Sequence, residues 1–368
     1  MADSASLLES AALWLRRGQA CEAQATPAAL DEAVRCYNEA IAQLTTLLSS
    51  ASRPQSPESA RPLSPEFQRR LAIVWMNRGN ALQKQPHAED LEEAVRSYDQ
   101  AIGLLAASQG SEDFAARNSL GAAWMNRGQA LHRQGTAPTL QEALRSQREA
   151  IAVLRTLPLQ QDISFRLNLA GALMNEANVL LGDGLGRHDQ ARTSAKASLA
   201  LVLTQEAIHP DAAGLALQAR RALCDAIGQL LVANTTNLSL SVLADEAGDV
   251  VDDGLALARL WERKGRRDLR PLAERLFYFG VQLYRLHQPQ FLAEFVLESL
   301  DPERSSGALP GTPALHKAAE DAVAGALDAL RGVQRLTTED PLSARLLQTW
   351  QELQTASTRL AELRKPAG

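Results

Sequence analysis

Aromatic side chains are scarce in this chain: Trp, Tyr and Phe together make up 4 % of 368 residues. A sheet-built core draws on aromatic and β-branched residues, whereas a core of closely packed helices is filled by Ala and Leu, which are abundant here. Cysteine is scarce too. Cys21, Cys36 and Cys224 cannot make a disulfide framework, and none stands in a C-x-x-C pair, so they read as free buried thiols in a reducing compartment. No run of about 18 apolar residues occurs, so no membrane span is expected. The N-terminal stretch lacks a basic region ahead of an apolar one, and Glu9, Arg16 and Arg17 interrupt its Ala and Leu. It reads as an amphipathic helix and not as a signal peptide, and a cytoplasmic location is expected. A formal charge of −5 gives no reason to expect nucleic acid as the partner.

Catalytic signatures are missing as well. His87, His132, His188, His209, His287 and His316 are scattered, with no H-E-x-x-H and no metal-ligand spacing. There is no G-x-S-x-G. The run Gly182-Asp183-Gly184-Leu185-Gly186 follows no strand and reads as a turn, not a phosphate loop. The expectation is a non-enzyme without cofactor or metal.

What the chain does have is repetition. IVWMNRGNAL (73–82) returns as AAWMNRGQAL (122–131) and more loosely as ALMNEANVL (172–180), with ALWLRRGQAC (12–21) as the first copy. Gly18, Gly79, Gly128 and Ala177 share one place, at steps of 61, 49 and 49 residues. Three copies are followed by a second matching segment: DEAVRCYNEAI (31–41), EEAVRSYDQAI (92–102) and QEALRSQREAI (141–151). The step from the small residue to Ala33, Ala94 or Ala143 is 15 each time. The longer first step is explained by the Ser/Pro-rich stretch at 49–66, which reads as an inserted loop.

Both segments are expected to be helices, because apolar residues recur at i, i+3, i+4 and i+7, as in Leu71, Val74, Trp75 and Leu82, or Leu91, Ala94, Val95 and Tyr98. Asp90-x-x-Glu93 and Thr139-x-x-Glu142 read as capping boxes, and Pro27 and Pro65 as first helical residues. A two-helix unit cannot bury its apolar faces alone, so such units stack.

The pattern resembles the tetratricopeptide repeat. Trp14, Trp75 and Trp124 stand at the family's large first-helix position, and Gly18, Gly79 and Gly128 at its small one. Ala33, Ala94 and Ala143, then Tyr37 and Tyr98, then Ala40, Ala101 and Ala150 match its second helix. The unit is 49 residues instead of about 34, and the closing Pro is missing. The resemblance implies an all-α, right-handed superhelical solenoid of antiparallel hairpins, with four units over 1–205. Beyond these the match fades. Helix pairs are expected at 211–232 with 240–263, at 270–300 broken near His287-Gln288-Pro289, and at 314–335 with 341–364. This gives a divergent region 206–304, a linker at 305–313 and a C-terminal hairpin or cap at 312–368.

In that family the first helices line a concave groove that holds extended peptides. The resemblance places Asn77, Asn126 and Asn175 there, with Arg16 in the first copy, and beside them Gln19, Asn80, Gln129 and Asn178. Met76 and Met125 flank the file. A mid-helix Asn costs roughly half a kcal/mol against Ala, and a primary amide can bond both the N–H and the C=O of any peptide. The amides therefore read as a peptide-binding ladder, or else as amides that bond neighbouring helices. Arg78 and Arg127, with Lys84 and Arg133, read as solvated faces, or else as a preference for acidic peptides in a series that Glu176 breaks, and the basic run 263–270 reads as an exposed turn. Three functions stay open: a scaffold holding an extended segment of a partner protein, a structural or self-associating array that uses its convex face or C-terminal half, and an enzyme or nucleic-acid binder, against which the absence of any site motif counts.

Overall fold

The computed structural model describes residues 4–51, 65–106, 112–182, 184, 186–233, 238–304, 309, 312–333 and 340–364. The core of the Ser/Pro-rich insertion, 52–64, lies outside them, as does most of the 305–313 linker. The margins of that insertion are helical and not loop, since 49–51 close α2 and 65–66 open α3. The described chain is all-α and divides by its contacts into two units, 1–185 and 186–368.

The first unit holds α1 (Ser4–Glu22), α2 (Pro27–Ala51), α3 (Pro65–Gln83), α4 (Ala88–Leu105), α5 (Phe114–Gln134), α6 (Ala137–Leu154) and α7 (Ile163–Gly182). α1 pairs with α2, α3 with α4 and α5 with α6. Each second helix then packs on the next first helix, and α1, α3, α5 and α7 also lie against one another in turn. The second helices owe their amphipathic face to the repeated segment: Leu91, Ala94, Ser97, Tyr98, Ala101 and Leu105 form the buried stripe of α4. Such stripes fill the shared cores, as Tyr37, Ala40 and Leu44 do with Leu71 and Val74 of the next hairpin.

The helix starts need two corrections. α4 begins at Ala88 with no side-chain cap, so Asp90 lies inside the first turn instead of capping it. α6 begins three residues before the expected box, where Thr136 and Thr139 cap each other reciprocally. Pro138 is the reason, because proline without an N–H is tolerated only in the first turn, and the start therefore precedes it. Pro27 and Pro65 do open α2 and α3.

The second unit holds α8 (His188–Val202), α9 (Pro210–Ala233), α10 (Leu240–Arg263), α11 (Arg270–His287), α12 (Pro289–Leu300), α13 (Pro313–Ala329) and α14 (Pro341–Leu363). Successive helices pack from α8 to α11, after which α11 touches both α12 and α13, and α14 covers α12 and α13. Buried Arg220 anchors it, with bidentate bonds to Glu206 of 2.6 and 3.0 Å. Arg359 of α14 likewise grips buried Asp301.

Glycine spacing in the first unit yields a test. A Cβ at Gly79 would sit 2.7 Å from the Tyr98 ring, whereas one at Gly103 would meet nothing within 4 Å. Gly79→Ala should destabilise by about 1–3 kcal/mol through overpacking. Gly103→Ala should stabilise by roughly 0.5–1 kcal/mol, since a helical glycine loses the most entropy on folding. Urea unfolding midpoints with unchanged slopes would check both.

Candidate functional site: the amide face of the first helices

The bare glycine on the first helix and the aromatic on the second form one device. Gly18 faces the ring of Tyr37 and Gly79 that of Tyr98, so each helix pair closes over a fully buried phenol. Burial pushes both phenols well above the ordinary tyrosine range, and each hydroxyl stays neutral and needs an acceptor. Tyr37 donates to Glu22 (2.7 Å). Tyr98 donates to Asn80 Oδ1 (2.8 Å), with Gln83 Oε1 at 3.0 Å. In the third hairpin Gln147 replaces the tyrosine and donates to the Met125 carbonyl (2.9 Å).

The amides form rungs between neighbouring first helices. Asn126 Nδ2 donates to Asn80 Oδ1 (3.1 Å), and one repeat on Gln129 Nε2 donates to Asn175 Oδ1 (3.2 Å). Both rungs join the residue after the small position to the residue two before it in the next hairpin. Asn168 and Asn118 make a third cross-helix pair at 2.9 Å. Some capacity is left over. Half-buried Asn77 has no hydrogen-bond partner among the described residues, Asn175 Nδ2 is buried without one, and the side-chain oxygens of Asn126 and Gln129 accept nothing. Asn178 donates to the Met174 thioether, a weak acceptor. Arg16 and Gln19 are exposed on α1. Met76 packs into the α3–α5 core, and the Met125 sulfur lies against Gly171.

No protein-family model matches the chain, and no curated protein does either. Among solved structures it is similar to Nro1, the hypoxic regulator of sterol synthesis and a nuclear import adaptor of S. pombe. That match has 13 % identity, covers 95 % of this chain and 93 % of that one, and has a TM-score of 0.42. It is also similar to a circular tandem repeat protein of novel repeat topology, at 13 % identity, 98 % and 85 % coverage and a TM-score of 0.32.

Arg78 and Arg127 are not the solvated residues their sequence context indicates. Each lies along its own tryptophan, with the guanidinium 5.7 Å from the ring of Trp75 or Trp124. From there Arg78 reaches Ser97 (2.6 Å) and Glu93 (3.1 Å) in its own hairpin and Asn38 (2.8 Å) in the previous one. Arg127 repeats this with Ser146 (2.7 Å), Glu142 (3.8 Å) and Asp99 (2.7 Å). Lys84 and Arg133 also bridge backward, to Glu22 and to the Gln83 carbonyl. In the fourth copy Glu176 replaces the arginine, and the second-helix partner has changed sign with it. Arg148, one repeat after Asp99, donates to Glu176 (3.2 Å). The apparent break in the series is the same inter-hairpin contact with its charges exchanged.

Sequence reading finds the arginines but not their partners, which lie 40 and 28 residues away. Among the described residues no group of His, Cys, Asp and Glu could hold a metal, and no helix is long and apolar enough to cross a membrane. Burial raises the Cys36 and Cys224 thiols, which keeps them unreactive.

The exchanged pair can be imposed elsewhere. Arg127→Glu alone should destabilise, because it sets a carboxylate against Asp99 and Glu142. Adding Asp99→Arg should restore about 0.5–1 kcal/mol, the scale of a partly exposed pair. A double-mutant cycle by chemical unfolding measures this coupling.

Proposed function

We propose that the protein is an interaction scaffold whose first-helix face in the first unit holds an extended segment of a partner protein. The observation that supports this reading is the unused hydrogen-bonding capacity on that face: Asn77 without a partner, and the Asn126 and Gln129 oxygens accepting nothing. Asn77 also stands in mid-helix, where Asn is a poor helix former. The rungs hold Asn126 and Gln129 in fixed orientations, and their open oxygens then present a row of acceptors to the N–H groups of an extended chain. Such contacts read backbone and not side chains, and each adds about 0.5–1.5 kcal/mol. The resulting affinity is modest and tolerant of sequence, in keeping with a tetratricopeptide-like groove.

Self-association through the second unit is the other reading. Its support is the exposed apolar surface there, including Phe291, Leu286 and Val242.

The two separate on a backbone test. Peptides selected on an array with wild-type protein should lose about tenfold in affinity when a central amide is N-methylated, and should tolerate most side-chain changes. Asn77→Ala should weaken the same peptides at an unchanged melting temperature. Binding indifferent to both changes would remove the amide face from the function.

A further inference from the structure

The second unit contains a groove that shares Phe291 with this exposed apolar surface. Its walls are α10 and α12, and it encloses about 460 Å³. α10 places Asp245, Asp249 and Asp252 on one face at i, i+4 and i+7, and α12 places Glu294 and Glu298 opposite them. All five are exposed, and none forms an ion pair with a described residue. The contrast with their neighbours is sharp: Glu246 of the same helix is bonded by Arg192 and Lys196, and Glu262 by Arg270. Arg259, whose charge reaches Asp252 and Glu298, bonds the main-chain carbonyl of Glu298 instead of a carboxylate.

The floor is aromatic and rich in acceptors. Tyr284 leans on Phe295 at 4.8 Å and meets the half-exposed Phe291 edge-on at 6.4 Å. Gly248 leaves a bare patch of backbone, where an added Cβ would lie 3.0 Å from the Tyr284 hydroxyl and 3.8 Å from Gln288 Oε1. Gln288 is nine-tenths buried. Its Nε2 donates to Asp245, while its Oε1, turned toward Gly248, takes no hydrogen bond. Tyr284 donates its only proton to Asp252 (3.2 Å). The oxygens around Gly248 therefore have open acceptor positions and no donor to fill them. Desolvation pushes the Asp252 carboxyl upward, with Glu298 and Asp249 adding to the push, against the Tyr284 hydrogen bond and the charge of Arg259.

We propose that this groove docks a basic segment of a partner protein, seating one arginine or lysine side chain over Gly248 between Tyr284 and the facing carboxylates. The charge supplies attraction and orientation. The rings offer faces to a guanidinium or ammonium group, and the Gln288 oxygen takes one of its N–H bonds. This surface is separate from the amide face of the first unit and stands or falls independently of it.

The test uses the full chain and a short fluorescein-labelled peptide alternating arginine with alanine and leucine, followed by fluorescence anisotropy. Wild type should bind it, and Asp249→Asn/Glu294→Gln should weaken binding by at least about tenfold. Gly248→Ala, which fills the cradle without changing charge, should weaken it severalfold. Glu39→Gln/Glu149→Gln, which removes two exposed carboxylates of the first unit, should leave it unchanged. Equal binding by wild type and the groove variants would overturn the proposal, as would an equal loss in the first-unit variant. Displacement of the peptide by an equal concentration of spermine would assign the groove to small polyamines instead. Sedimentation showing wild-type oligomers that dissociate in Asp249→Asn/Glu294→Gln would assign it to a second copy of this chain.

Discussion

Two helices that meet at a residue without a side chain can approach closely enough to bury a ring between them, and the first unit is organised around that approach. The glycine excludes a side chain, the tyrosine fills the space, and its hydroxyl must find an acceptor inside the protein. In the second hairpin that acceptor is Asn80. Asn80 in turn accepts from Asn126 of the next helix, so a packing requirement within one hairpin becomes a polar contact between hairpins. Where Gln147 replaces the tyrosine, its amide turns to the Met125 carbonyl, and the rung above runs from Gln129 to Asn175 without a phenol.

The arginines show the same economy of parts. A guanidinium offers five donors in a fixed plane, enough to bind a hydroxyl and a carboxylate in its own hairpin and a further oxygen in the preceding one. The tryptophan three residues earlier holds the guanidinium in place. Once Glu176 stands in this position, Ala191 and Ala195 occupy the sequence places of Glu142 and Ser146, and Arg148 supplies the positive charge. Arginine, acid, hydroxyl and backward partner change together, which identifies the set as one structural contact.

The helices and their phase were legible because periodicity and duplication are local signals. The small residue, the 15-residue step and the buried stripes are all written within one unit. The second-unit helices were readable from proline positions and apolar periodicity, as α9, α10 and the break before Pro289 show. Contacts between hairpins were not readable. Nothing in MNRG reveals that its arginine reaches back to Asn38 or Asp99, or that Asn126 bonds Asn80. A charged residue drawn on a helical wheel looks solvated until the next helix is placed beside it. The misplaced caps have a similar origin: Asp90 and Thr139 fit a capping box in sequence, but helix starts are also set by Pro138 and by the turn preceding Ala88.

The two units treat their polar groups differently, and that difference bears on where a partner would find purchase. In the first unit Arg78, Lys84, Arg127 and Arg148 reach acids or amides of a neighbouring hairpin, and amide oxygens of the first-helix face keep open acceptor positions. Neutral acceptors of this kind are weak and unselective, suited to a backbone. In the second unit Asp245, Asp249 and Asp252 of α10 and Glu294 and Glu298 of α12 line one groove without an ion pair, at an electrostatic cost that Arg259 and the Tyr284 hydroxyl only partly offset. Gln288 could have closed the gap over Gly248 with a donor, yet its N–H group is already committed to Asp245. Acidic walls, an aromatic floor and an open acceptor together favour a cation over an anion or a neutral backbone. The amphipathic logic that builds both units from similar hairpins thus leaves them with different open polar groups, neutral amide oxygens on one and clustered carboxylates on the other.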